Sequence, residues 1–153
     1  MKIVVSACLM GESCKYNGLD NHHRELVGAC ERTGTEVLLV CPEVFGGLPT
    51  PRRPSEIVNG EVRTCEGVSV DREFRLGAER ALDMCEQAGG PSEIAACVLQ
   101  DRSPSCGAGR VYDGTFSGTL TAGNGVFVDL LLRHGYRVIP ASEFDPSMLE
   151  HCP

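Results

Sequence analysis

Basic residues are scarce in this chain and nowhere gathered: 14 Lys and Arg stand against 21 Asp and Glu, for a formal charge of −7. The pair Arg52-Arg53 is the largest basic group. That is too little to track a phosphate backbone, so a nucleic-acid surface is disfavoured and a small-molecule partner is expected. Long apolar runs are missing as well, which excludes a membrane-spanning helix. Val5-Ser6-Ala7-Cys8 has the look of a lipoprotein cleavage box, but residues 3–7 are too short for the apolar part of a signal peptide. Residues 11–18 lack the Gly-x-Gly-x-x-Gly spacing, no Walker lysine is present, and no Ser-His-Asp arrangement can be placed. Without a repeat or a linker, the 153 residues read as one domain, 1–153, long enough to bury a core without disulfide staples.

Cysteine, by contrast, is abundant. Nine is an odd number, the chain is not small, and apolar strand-like runs supply a core. A secreted disulfide scaffold is therefore set aside for a reducing cytoplasm, where cysteines serve as ligands or core residues.

Strand-like and helix-like patterns alternate along the chain. Residues 2–7 read as a first strand, followed by a loop through Gly11, Cys14 and Gly18 and a helix over 21–32. Residues 35–41 form a continuous apolar strand of the kind buried on both faces. Four prolines and two glycines make 42–54 irregular, and 56–64 reads as a polar hairpin around Asn59-Gly60. Apolar residues at helical spacing mark a helix over 71–89, with Asp71 as N-cap and Gly89 as C-cap. A buried strand over 94–99, a small-residue loop over 103–109, an extended segment over 111–116, a helix over 124–134 and a strand over 137–139 follow, with a helical turn expected in the tail from Glu143. The alternation predicts a compact three-layer, Rossmann-like α/β domain with a mostly parallel sheet.

In such a sheet the carboxyl ends of the strands share one edge, and ligands bind outside it. Cys8, Cys41 and Cys106 each follow a predicted strand, so residues distant in sequence are expected to meet as a three-thiolate site. Three soft ligands with no obvious fourth suit an iron–sulfur cluster, or zinc with one open position. Cys14 is a further candidate as ligand, reactive thiol or packing residue; Cys30, Cys65, Cys85, Cys97 and Cys152 have weaker claims. Glu43, two residues after Cys41, is placed for general acid/base work. Ser103 is placed to hydrogen-bond a substrate or a cluster sulfur, and Arg52 to bind an anionic or carbonyl oxygen. Gly46-Gly47 and Gly107-Ala108-Gly109 allow backbone to approach a ligand. The neighbouring His22 and His23 point apart on a helix and are not expected to share a metal.

Ser6-Ala7-Cys8-Leu9-Met10-Gly11, Cys14-Lys15-Tyr16-Asn17-Gly18, Cys41-Pro42-Glu43, Gly46-Gly47-Leu48-Pro49-Thr50-Pro51-Arg52, Ser103-Pro104-Ser105-Cys106-Gly107 and Tyr112-Asp113-Gly114-Thr115-Phe116 together resemble the DUF523 family, which includes bacterial thiouracil desulfurases. The resemblance implies a 4Fe-4S cluster bound by Cys8, Cys41 and Cys106 alone, whose open iron takes sulfur from a thiolated pyrimidine base or nucleoside. It also implies Glu43 as the proton-transfer residue and Ser103 as a substrate-positioning or relay group, with a sulfur acceptor as a possible partner. Two alternatives accompany this reading: a zinc hydrolase on the same three cysteines, and a non-enzymatic cluster or sulfur carrier.

Overall fold

The computed structural model describes residues 1–150; Cys152 lies outside them. Its centre is a four-stranded parallel sheet of β1 (Lys2–Ser6), β2 (Glu36–Val40), β5 (Ile94–Leu99) and β8 (Val138–Pro140) in the order β2-β1-β5-β8. Between β2 and β5 lie a short helix α2 (Pro42–Phe45), the hairpin β3 (Ser55–Val58) and β4 (Glu61–Thr64), and the long helix α3 (Asp71–Gln87). A second hairpin, β6 (Arg110–Tyr112) with β7 (Leu120–Ala122), and α4 (Val126–Arg133) lie between β5 and β8. Helix α1 (Arg24–Thr33) joins β1 to β2, and a single turn, α5 (Ser147–Glu150), ends the described chain.

The period of two in β1 divides the core. Val4 packs with Cys97 and Leu99 of β5 against α3 and α4, through Ala78, Ala81, Phe127 and Leu131. Ile3 and Val5 point to the opposite face and pack with Val98 against Leu26, Ala29 and Cys30 of α1, and with Phe144 and Leu149. The connection after β1 thus crosses one face and the connection after β5 the other. The C-terminal ends of β1 and β5 flank the point where the winding reverses, the place where an open parallel sheet leaves a crevice.

Several sequence expectations are corrected. Strand β2 is an edge strand, and only Val40 in it is fully buried, because a neighbour covers it on one side alone. The first strand stops at Ser6, and Cys8 sits in a 3-10 turn, Ala7–Met10. Residues 42–45 are helical where irregular backbone was expected: Pro42 occupies the first turn, where its missing N–H costs nothing. Helix α1 begins at Arg24, not Asn21, capped by His23, whose Nδ1 accepts the Leu26 N–H at 3.2 Å. Asp71 is the first residue of α3 and not its cap; its carboxylate accepts the Val62 N–H at 3.0 Å and so ties β4 to the helix. Ala88, not Gly89, occupies the C-cap of α3. The extended segment near Val111 proves to be one arm of the β6–β7 hairpin.

Helix α2 lies unusually close to α3. A Cβ at Gly46 would overlap the Glu73 carbonyl, and one at Gly77 would overlap that of Pro42. The two glycines let backbone meet backbone and fix the turn that follows Cys41.

Candidate active site

Parallel register brings the functional turns together. Ser6 pairs with Val40, so β1 and β2 end side by side, and Val5 pairs with Val98 of β5. Ser6 Oγ accepts the Gln100 N–H at 3.0 Å, joining the end of β1 to the exit of β5. Beyond these ends opens a cavity of about 550 Å³, lined by Cys8, Cys41 and Cys106 with Cys14, Glu43, Arg52, Ser103 and Ser105 among others.

The thiols differ in surroundings. Cys8 is buried and takes a hydrogen bond from Asn21 Nδ2 at 3.6 Å. Cys41 Sγ donates to Cys14 O at 3.9 Å, and the Cys14 thiol lies close to those of Cys8 and Cys41. That proximity lowers the pKa of Cys8 against the opposing effect of burial, lowers that of Cys41 to about 7, and raises that of Cys14. Cys106 is pushed up to about 12 by burial, with Ser6 and Ser105 opposing the shift. Its thiol and its turn are held by serines: Ser105 Oγ lies 3.7 Å from Cys106 Sγ, and Ser103 Oγ accepts the Cys106 N–H at 2.7 Å. Among the described residues no three His, Cys, Asp or Glu side chains are grouped as a site for a single metal ion; the three thiols line one cavity. All eight described cysteines are free. Cys65 is exposed at the cavity wall, Cys30, Cys85 and Cys97 are buried in the two cores away from it.

Glu43 is fixed at both oxygens. Arg52 Nε donates to Oε1 at 3.1 Å and Ser105 Oγ to Oε2 at 2.8 Å. Arg52, expected to bind an anionic or carbonyl oxygen, has both within the chain: besides the Glu43 carboxylate, Nη1 donates to Pro49 O and Thr50 Oγ1, and Nη2 to Cys14 O at 2.9 Å. Its guanidinium locks residues 14, 43 and 49–50 into one wall. Ser103 lies 3.2 Å from Ser105, not on Glu43 itself. With Ser105 donating to the carboxylate, Ser103 donates to Ser105, which gives a hydroxyl chain ending at Glu43. Ser105, 2% exposed, is the functional candidate that sequence reasoning missed, although its place directly before Cys106 was a signal.

Other expectations fall away from the site. Gly107 packs on its own turn, where a Cβ would lie 2.7 Å from Ser103 O, and Gly46 packs on α3; neither they nor Gly47 and Gly109 line the cavity. His23 caps α1 and its Nε2 donates to Ala141 O, while His22 is exposed. No helix of the described residues is long and apolar enough to cross a membrane.

Residues 3–143 match the model of the 2-thiouracil desulfurase family. A protein of Bacillus subtilis (strain 168), YbbK, itself described as uncharacterized, is 35% identical over 153 residues, covering 94% of this chain and 97% of its own length. The solved structure of a 4Fe-4S-dependent thiouracil desulfidase, TudS (DUF523Vcz), superposes with a TM-score of 0.86 at 42% identity, covering 96% of this chain and 94% of that one.

Proposed function

The chain belongs to the 2-thiouracil desulfurase family, and from this premise we propose that it removes sulfur from a thiolated pyrimidine base or nucleoside at a 4Fe-4S cluster held by Cys8, Cys41 and Cys106. The observation that carries the reading is that three thiols from the ends of three strands share one cavity with a carboxylate whose oxygens are both fixed. The donor set fits the group: three soft sulfur ligands leave one iron without a protein ligand. When bound, the cluster supplies a soft Lewis-acidic iron with an open position for the substrate sulfur. Cys14 is not a fourth ligand in this reading; its thiol serves its two neighbours as a hydrogen-bond donor.

Glu43 is the proton-transfer residue. Arg52 and Ser105 hold its carboxylate in place, so it takes a proton from the attacking water and returns it as the carbon–sulfur bond breaks. Ser103 and Ser105 orient that carboxylate and form a path along which a proton is replaced. The balance is hydrolytic: the thiocarbonyl and water give the carbonyl and sulfide, with no net electron transfer. A cavity of this size takes a small molecule, and the charge of −7 sets a free base or nucleoside ahead of a nucleic acid. A sulfur carrier would need neither the cavity nor a doubly anchored Glu43. The free thiols suit a reducing cytoplasm, and residues 1–153 act as a single desulfurase domain.

The test is anaerobic purification and cluster reconstitution, followed by assay against 2-thiouracil, 4-thiouracil and thionucleosides. A brown protein releasing the oxo base is expected. A colourless zinc protein, or a loaded protein that leaves every thiolated base intact, would overturn the reading.

A further inference from the structure

Aromatic residues are few, with five phenylalanines, three tyrosines and no tryptophan, yet Tyr16, Tyr112 and Phe116 all line the one site cavity. Phe74 and Phe127 show the ordinary fate of such side chains, fully enclosed in the core. Phe116 is only half-buried and has a φ of +56°, a left-handed backbone that a residue with a large side chain adopts only when its surroundings impose it.

Those surroundings are built for the purpose. Glu56, 8% exposed, turns its Oε1 onto two amides of the loop between β6 and β7: Gly114 N at 2.9 Å and Phe116 N at 3.2 Å. A buried carboxylate bonded to backbone N–H groups makes strong, charge-assisted contacts. The loop is braced from within as well. Asp113 Oδ1 accepts from both the amide and the hydroxyl of Thr115, and the Asp113 N–H donates to Thr119 O at 2.9 Å. Gly114 packs so tightly on β3 that a Cβ there would lie 2.6 Å from Ile57 O. The loop is thus a rigid mount whose one aromatic side chain stands on the wall shared with Cys8, Cys41 and Cys106.

We propose that Phe116 is the face on which the planar ring of the substrate stacks, and that Glu56 is a positioning residue that holds it there. This rests on the desulfurase reading and deepens it. The site selects a flat heteroaromatic ring through its π-face and disfavours a puckered thioamide of similar size.

The test uses the full chain with its cluster reconstituted anaerobically, and measures equilibrium binding of uracil and of dihydrouracil, alongside 2-thiouracil turnover at matched iron content. Neither probe carries sulfur, so binding reads ring recognition without chemistry. Wild type should prefer flat uracil to puckered dihydrouracil. Phe116→Leu should weaken uracil about five- to a hundredfold, the range base–aromatic stacking supplies, abolish the preference and raise KM with kcat little changed; Phe116→Tyr should restore it. Glu56→Ala should mimic Phe116→Leu, and Glu56→Gln, which keeps an acceptor oxygen without the charge, should keep the uracil preference with an affinity between those of wild type and Glu56→Ala. An unchanged uracil preference and KM in Phe116→Leu would overturn the proposal while leaving the desulfurase reading in place. A Phe116-dependent uracil preference in a loaded wild type that cannot turn over thiouracil would support the stacking and overturn the chemistry.

Discussion

Glu43 separates catalysis from carriage, because nothing in cluster binding needs a carboxylate anchored at both oxygens. Glu43→Gln should keep shape and iron content while lowering single-turnover uracil release about 10²–10⁴-fold, as loss of a general acid/base does. Wild-type rates at full loading would remove Glu43 from the mechanism. Ser105→Ala takes away one of the two anchors and the link to Ser103, so turnover should fall about tenfold, less than in Glu43→Gln, with iron content kept; stopped-flow comparison of the two variants checks the order. Cys14→Ala should retain a cluster whose spectrum is still that of three thiolate ligands, and a loss of one thiolate would make Cys14 a ligand. At this scale the sequence was legible wherever a residue follows a strand: Cys8, Cys41, Cys106 and Glu43 all line the cavity. It passed over Ser105, and could not name the partners of Arg52, because Glu43 and Cys14 O are brought close to them only by the fold.

Among the elements, the contact between α2 and α3 governs where Cys41 and Glu43 stand. Gly77→Ala would force the Pro42 carbonyl away. It should cost about 1–3 kcal/mol of stability, as overpacking does, and reduce iron content by displacing the turn at Cys41; thermal melting and iron analysis read the two effects, and an unperturbed iron content would show that the turn tolerates the shift. The strands over 94–99 and 137–139 were legible from apolar runs, as was the polar hairpin from Asn59-Gly60, where both residues have positive φ. Strand β7 was not, because Leu120–Ala122 is short and partly exposed and is defined by its register with β6. Likewise an apolar run cannot tell an edge strand from a central one: β2 carries Val37, Leu38, Leu39 and Val40, yet its place in the sheet order leaves most of it half-covered.

For the whole molecule, the alternation of strands and helices sufficed for the three-layer architecture, while the strand order that places β1 and β5 at the winding reversal depends on long-range pairing. The proposed ligands leave three different strands, so a bound cluster closes two long loops of the chain. By the chain-entropy measure each closure stabilises by roughly 4 kcal/mol, and the reconstituted protein should melt about 15–30 °C above the cluster-free protein, measured by anaerobic calorimetry. Equal melting points would show that the turns at Cys8, Cys41 and Cys106 are as well ordered without the cluster.

Those same turns carry no disulfide among the described residues, and their thiols are free. Cluster loss in air would therefore do more than silence the enzyme. The sheet's carboxyl edge would lose its only covalent bracing among these residues, and the loops there would become the first places a protease could enter, so that oxidative damage would shorten the lifetime of the damaged chain.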